Sequence, residues 1–409
     1  MTVRERGFET YTPFSVALNS VIASIKPLPP VPMPFAKAEG FVVAEDIVAM
    51  ENIPAFNRAA VDGYAVRASD TFGASQDKPA VLKLVGKAAG KKSGGFELGP
   101  KEAVKILTGF PLPKGADAVV MLEQTVVRGR YVEVLSPVTP GRNVSQLGED
   151  VRKGEIAIKA GTVLRPQEIG MLAQLRKLKV KVHPRPRVAL IVTGSELVSP
   201  WKKSSRFHTI DVNSYTLSAA VEKFGGEIAL LKRVPDRPER LEREIKNATT
   251  QDMIIISGGA SVGRKDFSAE AVSKLGKVIF HGVAMRPGSP TAFGFIKEKP
   301  VFCLPGFPAA ALLAFHIFVK PALLKLRGLS PSHERKSVKA QLTTDVSSTL
   351  GRADILRVKL KTNHGVWADP IRITGSGILS SLVKADGFVV IPENVEKLSK
   401  GETVEVELF

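Results

Sequence analysis

The chain of 409 residues carries 58 Lys+Arg against 40 Asp+Glu, a formal charge of +18, and 44% of its residues are hydrophobic. That apolar content excludes a disordered chain, and the length predicts two to four domains at roughly 100–200 residues each. A single cysteine, Cys303, excludes internal disulfides and a cysteine-based zinc cage.

The basic residues are spread along the chain rather than gathered in a block, and aromatics are only 6%. Both features disfavour nucleic acid as the main ligand and favour a small polyanion. The start is charged without a following apolar core. The longest apolar run, Ala309 to Val319, falls short of a membrane span. The expectation is a cytoplasmic protein with no membrane partner.

In chain order, residues 13–26 place Phe14, Leu18, Val21, Ile22 and Ile25 on one helical face, with Pro27 as a stop. From Phe41 to about Asp150 short strands alternate with Gly and Pro, which predicts a small all-β domain. A helix is predicted over Pro166 to Arg176, with Pro166 in its first turn. After the linker His183 to Arg187, strands such as VALIVTG, EIALLKRV and MIIISGG alternate with helical segments, ending in a long helix from Pro308 to about Arg327. This alternation predicts a central doubly wound α/β domain with a mainly parallel sheet. Past Ser330 the chain returns to short strands. The expected division is a helical or linker domain over 1–40 and 151–185, a β-rich domain over 41–150, the α/β domain over 186–330 and a closing β domain over 331–409.

Three loops of the α/β domain read as strand-to-helix turns. They are Thr193-Gly194-Ser195-Glu196-Leu197, the stretch from Ser257, Gly258 and Gly259 through Ser261 and Gly263 to Asp266, and Leu304-Pro305-Gly306-Phe307-Pro308. Glycines let backbone N–H groups approach an anion, and helix N-termini favour negative charge by about 0.3–1 kcal/mol each. Hydroxyls, amides and a carboxylate together suit a phosphate with Mg²⁺, which takes one or two carboxylates and substrate oxygens. The spacings exclude a Walker loop and leave a dinucleotide fingerprint unsupported. Between the loops, Arg286 precedes the rigid turn Pro287-Gly288-Ser289-Pro290, either as an oxyanion holder or as part of a plain surface turn. Asp236 precedes Arg237-Pro238 and on local grounds is a helix cap. In the first half, Asp62 sits in an Asp-Gly-Tyr turn, Thr108 opens a Pro/Gly loop, and Glu149-Asp150 ends the β domain. Physics alone names no reaction from these.

Taken together, the segments resemble the molybdopterin molybdenumtransferase family, MoeA and the matching part of gephyrin. The marks are Pro54 to Arg67 with DGYAVR, Thr108 to Val120 with PLP-x-GADAVV, GEDV from Gly148 to Val151, Thr193 to Leu197, Ser257 to Asp266, Pro287 to Pro290 and Leu304 to Pro308. The resemblance implies an elongated, four-domain subunit in a homodimer, its third domain like the molybdopterin adenylyltransferase, which is itself an implied partner. The implied reaction inserts molybdate or tungstate into adenylylated molybdopterin with Mg²⁺-assisted release of AMP. Asp266, with Glu196, would hold the metal. Asp62, Thr108 and Asp150 would come from the partner subunit. Asp236 matches a further family acid, and Arg352, Arg357 and Ser376 match C-terminal contacts.

The chain departs from the family pattern where the oxyanion should bind. Where the family reads K-x-x-x-KPGKP, this chain has Gly282, Arg286, Pro287, Gly288, Ser289 and Pro290, and LPGNP-x-S becomes Leu304 to Ala310 with Phe307 in place of the amide. Ser145-Gln146 stands where a basic pair is usual. Losing two charge-assisted contacts of about 1.5–3 kcal/mol each weakens oxyanion binding unless Arg286 compensates. The competing reading is a non-catalytic carrier of molybdopterin or its nucleotide; a lesser one is the adenylyltransferase step itself.

Overall fold

The computed structural model describes residues 11–88, 97–202, 208–259, 266–333, 336–362 and 364–409. The chain folds as two compact units, one of residues 1–32, 40–44 and 181–409, the other of residues 33–39 and 45–180.

Helix α1, Phe14–Ser24, follows Pro13 and ends where Ile25 turns extended. The expected apolar stripe is present, with Ala17, Val21 and Ile25 buried deepest. The stripe packs on the long helix of the α/β region, Phe14 lying 6.2 Å from Phe318 between ring centroids. Helix α1 therefore lies in the same compact unit as the α/β domain, whereas residues 33–39 fall in the unit that holds 151–180.

In the unit of residues 33–39 and 45–180, six strands form one sheet: β1 (Gly63–Val66), β2 (Ala80–Ala88), β3 (Glu102–Ile106), β4 (Ala118–Met121), β5 (Thr125–Arg128) and β6 (Tyr131–Val134). Their order is β4-β1-β3-β2-β6-β5, with β2 and β3 parallel and the other pairs antiparallel. Side chains alternate between two cores: Tyr64, Val66, Leu82, Val120 and Val132 on one face, Ala65, Val104, Ile106 and Val119 on the other. Helix α2, Pro166–Gln174, begins with its proline at the first position, and Glu168 accepts from Arg165 N at 2.9 Å.

The α/β sheet is built of β7 (Arg187–Thr193), β10 (Glu227–Val234), β11 (Met253–Ser257), β12 (Lys277–His281), β14 (Ala292–Ile296) and β15 (Lys299–Leu304), in the order β10-β7-β11-β15-β14-β12. The first four are parallel, and β14 and β12 close the edge antiparallel. The central strands read as unbroken apolar runs because both faces are covered. Val188, Leu190, Met253 and Ile255 enter one core, while Ala189, Ile191, Ile254 and Ile256 enter the other. Helices α3 (Asn213–Lys223), α4 (Pro238–Ala248) and α5 (Phe267–Leu275) supply the layers on the two faces.

Helix α6, Pro308–Leu326, is 19 residues long, contains a π-bulge at Phe315–Val319, and is apolar enough to cross a membrane by length and composition. It is 83% buried in the core of its own unit, which accounts for that composition. The closing β domain contains β16 (Ser337–Leu342), β17 (Ala353–Thr362), β18 (Val366–Arg372), β19 (Gly387–Ile391) and β20 (Thr403–Leu408). Pairing of β17 with both β18 and β19 closes these five strands into a small barrel. A two-residue strand, β13 (Met285–Arg286), leaves the α/β region to pair parallel with β17, Met285 opposite Ala353 and Arg286 opposite Asp354.

Candidate functional site

At the carboxyl ends of β7, β11 and β15 lies a cavity of about 400 Å³ lined by Thr193, Gly194, Glu196, Asp211, Asn213, Asp236, Ser257, Gly258, Gly259, Gly306 and Phe307, among others. This is where an open parallel sheet binds ligands. The loops fit together because Gly258 has φ +97° and lies against β7; a Cβ there would fall 2.3 Å from Thr193 O. Asn213 links three loops, its amide donating to Ser257 Oγ at 2.9 Å and to Gly306 O at 2.8 Å.

The Thr193–Leu197 loop differs from its expectation. It does not enter a helix but a short parallel ribbon, β8 (Leu197–Val198) beside β9 (Thr209–Ile210), before α3 begins. Asp236 is not the cap of α4. Its Oδ2 accepts from Ser195 N at 3.0 Å while Asp236 N donates to Ser195 Oγ at 3.1 Å, so the two residues latch the loop reciprocally. Both Glu196 and Asp236 are exposed to the cavity. Asp211 is buried; it accepts from Ser214 N at 3.0 Å at the start of α3 and pairs with Arg233 at 3.0 Å.

Asp266, expected as the metal ligand, is only 6% exposed. It caps α5, its Oδ1 accepting from Ala269 N at 3.1 Å, and its Oδ2 faces His281 Nε2 at 2.9 Å. An acid directly before a helix serves as a cap, and each of its oxygens has one partner here. The N-terminus of α6, expected to face an anion, is likewise occupied: Ala309 N and Ala310 N both donate to Ser376 O, at 3.0 and 3.1 Å. Ser261 and Gly263 lie outside the described residues.

Among the described residues no cluster of three or more His, Cys, Asp or Glu could hold a metal. Mg²⁺ needs fewer protein ligands when a substrate supplies phosphate oxygens. Two cavity carboxylates, Glu196 and Asp236, suit that mode. Among the described residues, Thr193 Oγ1 and Asn213 Oδ1 are buried without a hydrogen-bond partner, as in a site whose polar contacts a ligand completes.

A second cavity of about 740 Å³ is lined by Arg286, Pro287, Gly288, Ser289, Pro290, Pro305, Gly306, Phe307, Arg352 and Ser376, with Tyr11 and Leu350. Arg286 is not free in it. Its guanidinium grips Asp354 in bidentate fashion, Nε to Oδ1 at 2.9 Å and Nη2 to Oδ2 at 2.6 Å. Asp354 is fully buried, accepts from Ser348 Oγ at 2.8 Å and lies 3.7 Å from Arg352 Nε. Two arginines thus share one carboxylate, leaving one net positive charge at the cavity wall. Arg357, expected to reach the substrate, is fully buried and donates to the carbonyls of Arg372 and Thr374. Burial, with Arg372 nearby, brings its pKa down to about 10. It holds the strand before the Ser376 loop in place.

In the other unit, Asp62 Oδ1 accepts from both Thr108 N at 2.7 Å and Thr108 Oγ1 at 2.6 Å. The side-chain and then the backbone bond from Thr108 hold the Asp62 carboxyl below the usual carboxylate range. Asp150 lines a polar depression with Gln146, Glu149 and Arg152. Sequence reasoning missed Asn213 and Asp354. An Asp-Val-Asn triplet before a helix signalled the first, while nothing local marks Asp354 as the partner of a residue 68 positions away.

A doubly wound domain with a ligand cavity at its strand ends defines the class, and residues 189–325 match the model described as "Probable molybdopterin binding domain". Residues 12–175 match the MoeA N-terminal region (domains I and II) and residues 339–409 the MoeA C-terminal region (domain IV). The chain belongs to the MoeA family of molybdenum-cofactor biosynthesis, whose curated members include molybdopterin molybdenumtransferases. It is 42% identical to a molybdopterin biosynthesis protein of Methanocaldococcus jannaschii, covering 90% of this chain and 89% of the relative. It is 34% identical to the molybdopterin molybdenumtransferase of Haemophilus influenzae over 91% and 92%. A crystal structure of the MoeA protein from Pyrococcus horikoshii superposes with a TM-score of 0.84 at 38% identity, covering 98% of this chain and 99% of that one.

Proposed function

We propose that the protein is a cytoplasmic insertase that takes adenylylated molybdopterin and molybdate or tungstate, releases AMP and leaves the metal on the dithiolene. The observation that carries this reading is the pair of cavities of about 400 and 740 Å³ that share Gly306 and Phe307. One offers carboxylates and close-packed glycine loops; the other offers Arg286, Arg352, Ser289 and Ser376. A substrate with a nucleotide at one end and an oxyanion-receiving dithiolene at the other has that bipartite shape.

In this mechanism Glu196, with Asp236 or the α5-capping Asp266 as the second carboxylate, would hold Mg²⁺ at the diphosphate. The metal, when bound, neutralises charge on the phosphoanhydride. Ser195 fixes the orientation of Asp236 through their paired hydrogen bonds. Arg286 and Arg352, oriented by Asp354, supply the positive field for the oxyanion, and catalysis rests on positioning and electrostatics. Asp62, Thr108 and Asp150 complete the cleft from a second copy of the chain, which makes the homodimer the active form. A molybdopterin adenylyltransferase is the partner that supplies the substrate.

The test gives purified protein adenylylated molybdopterin, Mg²⁺ and either oxyanion, and follows AMP. Oxyanion-dependent release supports the insertase. Tight binding without release identifies a carrier, a reading that the neutralisation of Arg286 by Asp354 favours. Consumption of ATP with free molybdopterin identifies an adenylyltransferase. Asp236→Asn, which retains an oxygen for Ser195 N, is expected to lower Mg²⁺-dependent release at least ten-fold with the fold intact.

A further inference from the structure

Phe307 stands at the junction of the two cavities and lines both. It is 63% exposed, while its backbone is hydrogen-bonded on both sides. On one side Gly306 O accepts from Asn213; on the other, Phe307 O accepts from Ala311 N at 2.9 Å as α6 begins. Its flanks are Pro305, whose carbonyl faces Ser257 Oγ at 3.2 Å, and Pro308 at the first position of α6.

The ring itself rests on the Ser376 loop. A Cβ at Gly377 would approach Phe307 Cδ1 to 3.2 Å and Cε1 to 3.7 Å, so only glycine leaves the ring this seat at ordinary contact distance. That loop is in turn fixed to α6, because Ser376 O accepts from Ala309 N and Ala310 N. A large apolar side chain on rigid backbone, supported by glycine on one side and open to two ligand cavities on the other, lacks only a planar partner. Aromatic faces prefer offset stacking on such partners, and this needs no particular hydrogen-bonding edge.

We infer that Phe307 is a specificity-determining stacking platform for a heteroaromatic ring of the substrate, where the family pattern places an amide. This rests on the assignment of a pterin nucleotide to the paired cavities. Two rings of that substrate, adenine and pterin, share the required chemistry. With Phe307 as a platform, binding responds to the area of the ring at position 307 and not to its hydrogen-bonding capacity.

The experiment measures, by calorimetry, the affinity of the full-length protein for adenylylated molybdopterin and for AMP alone, in wild type, Phe307→Ala, Phe307→Asn and Phe307→Tyr. Ala and Asn are expected to weaken the pterin nucleotide about ten- to hundred-fold, with Tyr within about three-fold of wild type. A parallel loss for AMP identifies adenine as the stacked ring; loss for the pterin nucleotide alone identifies the pterin. Gly377→Ala, which crowds the ring from below, is expected to weaken the same ligand. Wild-type affinity in Phe307→Ala for both ligands, or an Asn variant as tight as Tyr, overturns the inference. Because the readout is binding, absence of AMP release in wild type would refute the insertase and leave the role of Phe307 decided on its own data.

Discussion

The carboxylate that Arg286 and Arg352 share makes a quantitative demand. Replacing Arg286 by methionine keeps its apolar bulk but removes both bonds to Asp354, at 2.9 and 2.6 Å. Asp354 is fully buried, so the carboxylate left behind keeps only Ser348 Oγ at 2.8 Å and the more distant Arg352 at 3.7 Å. Breaking a buried ion pair from one side costs about 3–5 kcal/mol. The Arg286 side chain is 28% exposed, which places the expected cost near the lower end, about 3 kcal/mol. For a folded unit of this size each kcal/mol moves the midpoint about 2–4 °C, so Tm falls by about 6–12 °C. The double variant Arg286→Met/Asp354→Leu removes the bidentate pair and recovers part of that loss, since two apolar residues replace it at little net cost while the partly exposed Arg352 loses its more distant partner. Differential scanning calorimetry on wild type, single and double variants checks both statements. A single variant within about 2 °C of wild type, or a double variant no better than the single, refutes the reasoning.

His316 is buried in α6, and burial, then Lys320 and Lys223, lowers its pKa to about 3. The unfolded chain therefore binds the proton more readily between about pH 3 and 6.5, so stability falls as pH drops through that window; His316→Leu should flatten the pH dependence of Tm there. Thr108→Val removes the hydroxyl that contributes most to holding the Asp62 carboxyl low, so NMR titration of Asp62 should show its midpoint moving up while the thermal midpoint stays put; an unmoved titration would separate the two residues.

The α/β class was legible because buried parallel strands leave an unmistakable trace: MIII and VALIV are apolar at every position, since both faces of the sheet are covered. The strand-end location of the cavity followed from topology alone. Side-chain roles within it were less legible, and for a consistent reason. Asp236 and Asp266 each stand just before a helix, and the local pattern that marks a cap is the same for both. Only the fold shows that Asp266 performs it while Asp236 reaches across to Ser195. The identity of Arg286 as a basic residue before a Pro-Gly turn was plain, but its charge is set by Asp354, which tertiary structure alone brings near. Strand β18, VWADPIR, carries a proline and an aspartate that break an alternating pattern, yet it pairs along the barrel with its Pro370 opposite Val358.

The small strand Met285–Arg286 joins the edge of the barrel sheet and sets Arg286, at the wall of the second cavity, side by side in register with the buried Asp354. Neither position can drift alone, since a change at one strands a charge inside the protein at the other. In the proposed insertase, a change at this wall therefore calls for a matching change at a distant point of the chain, so that residues 286 and 354 act as one inherited unit.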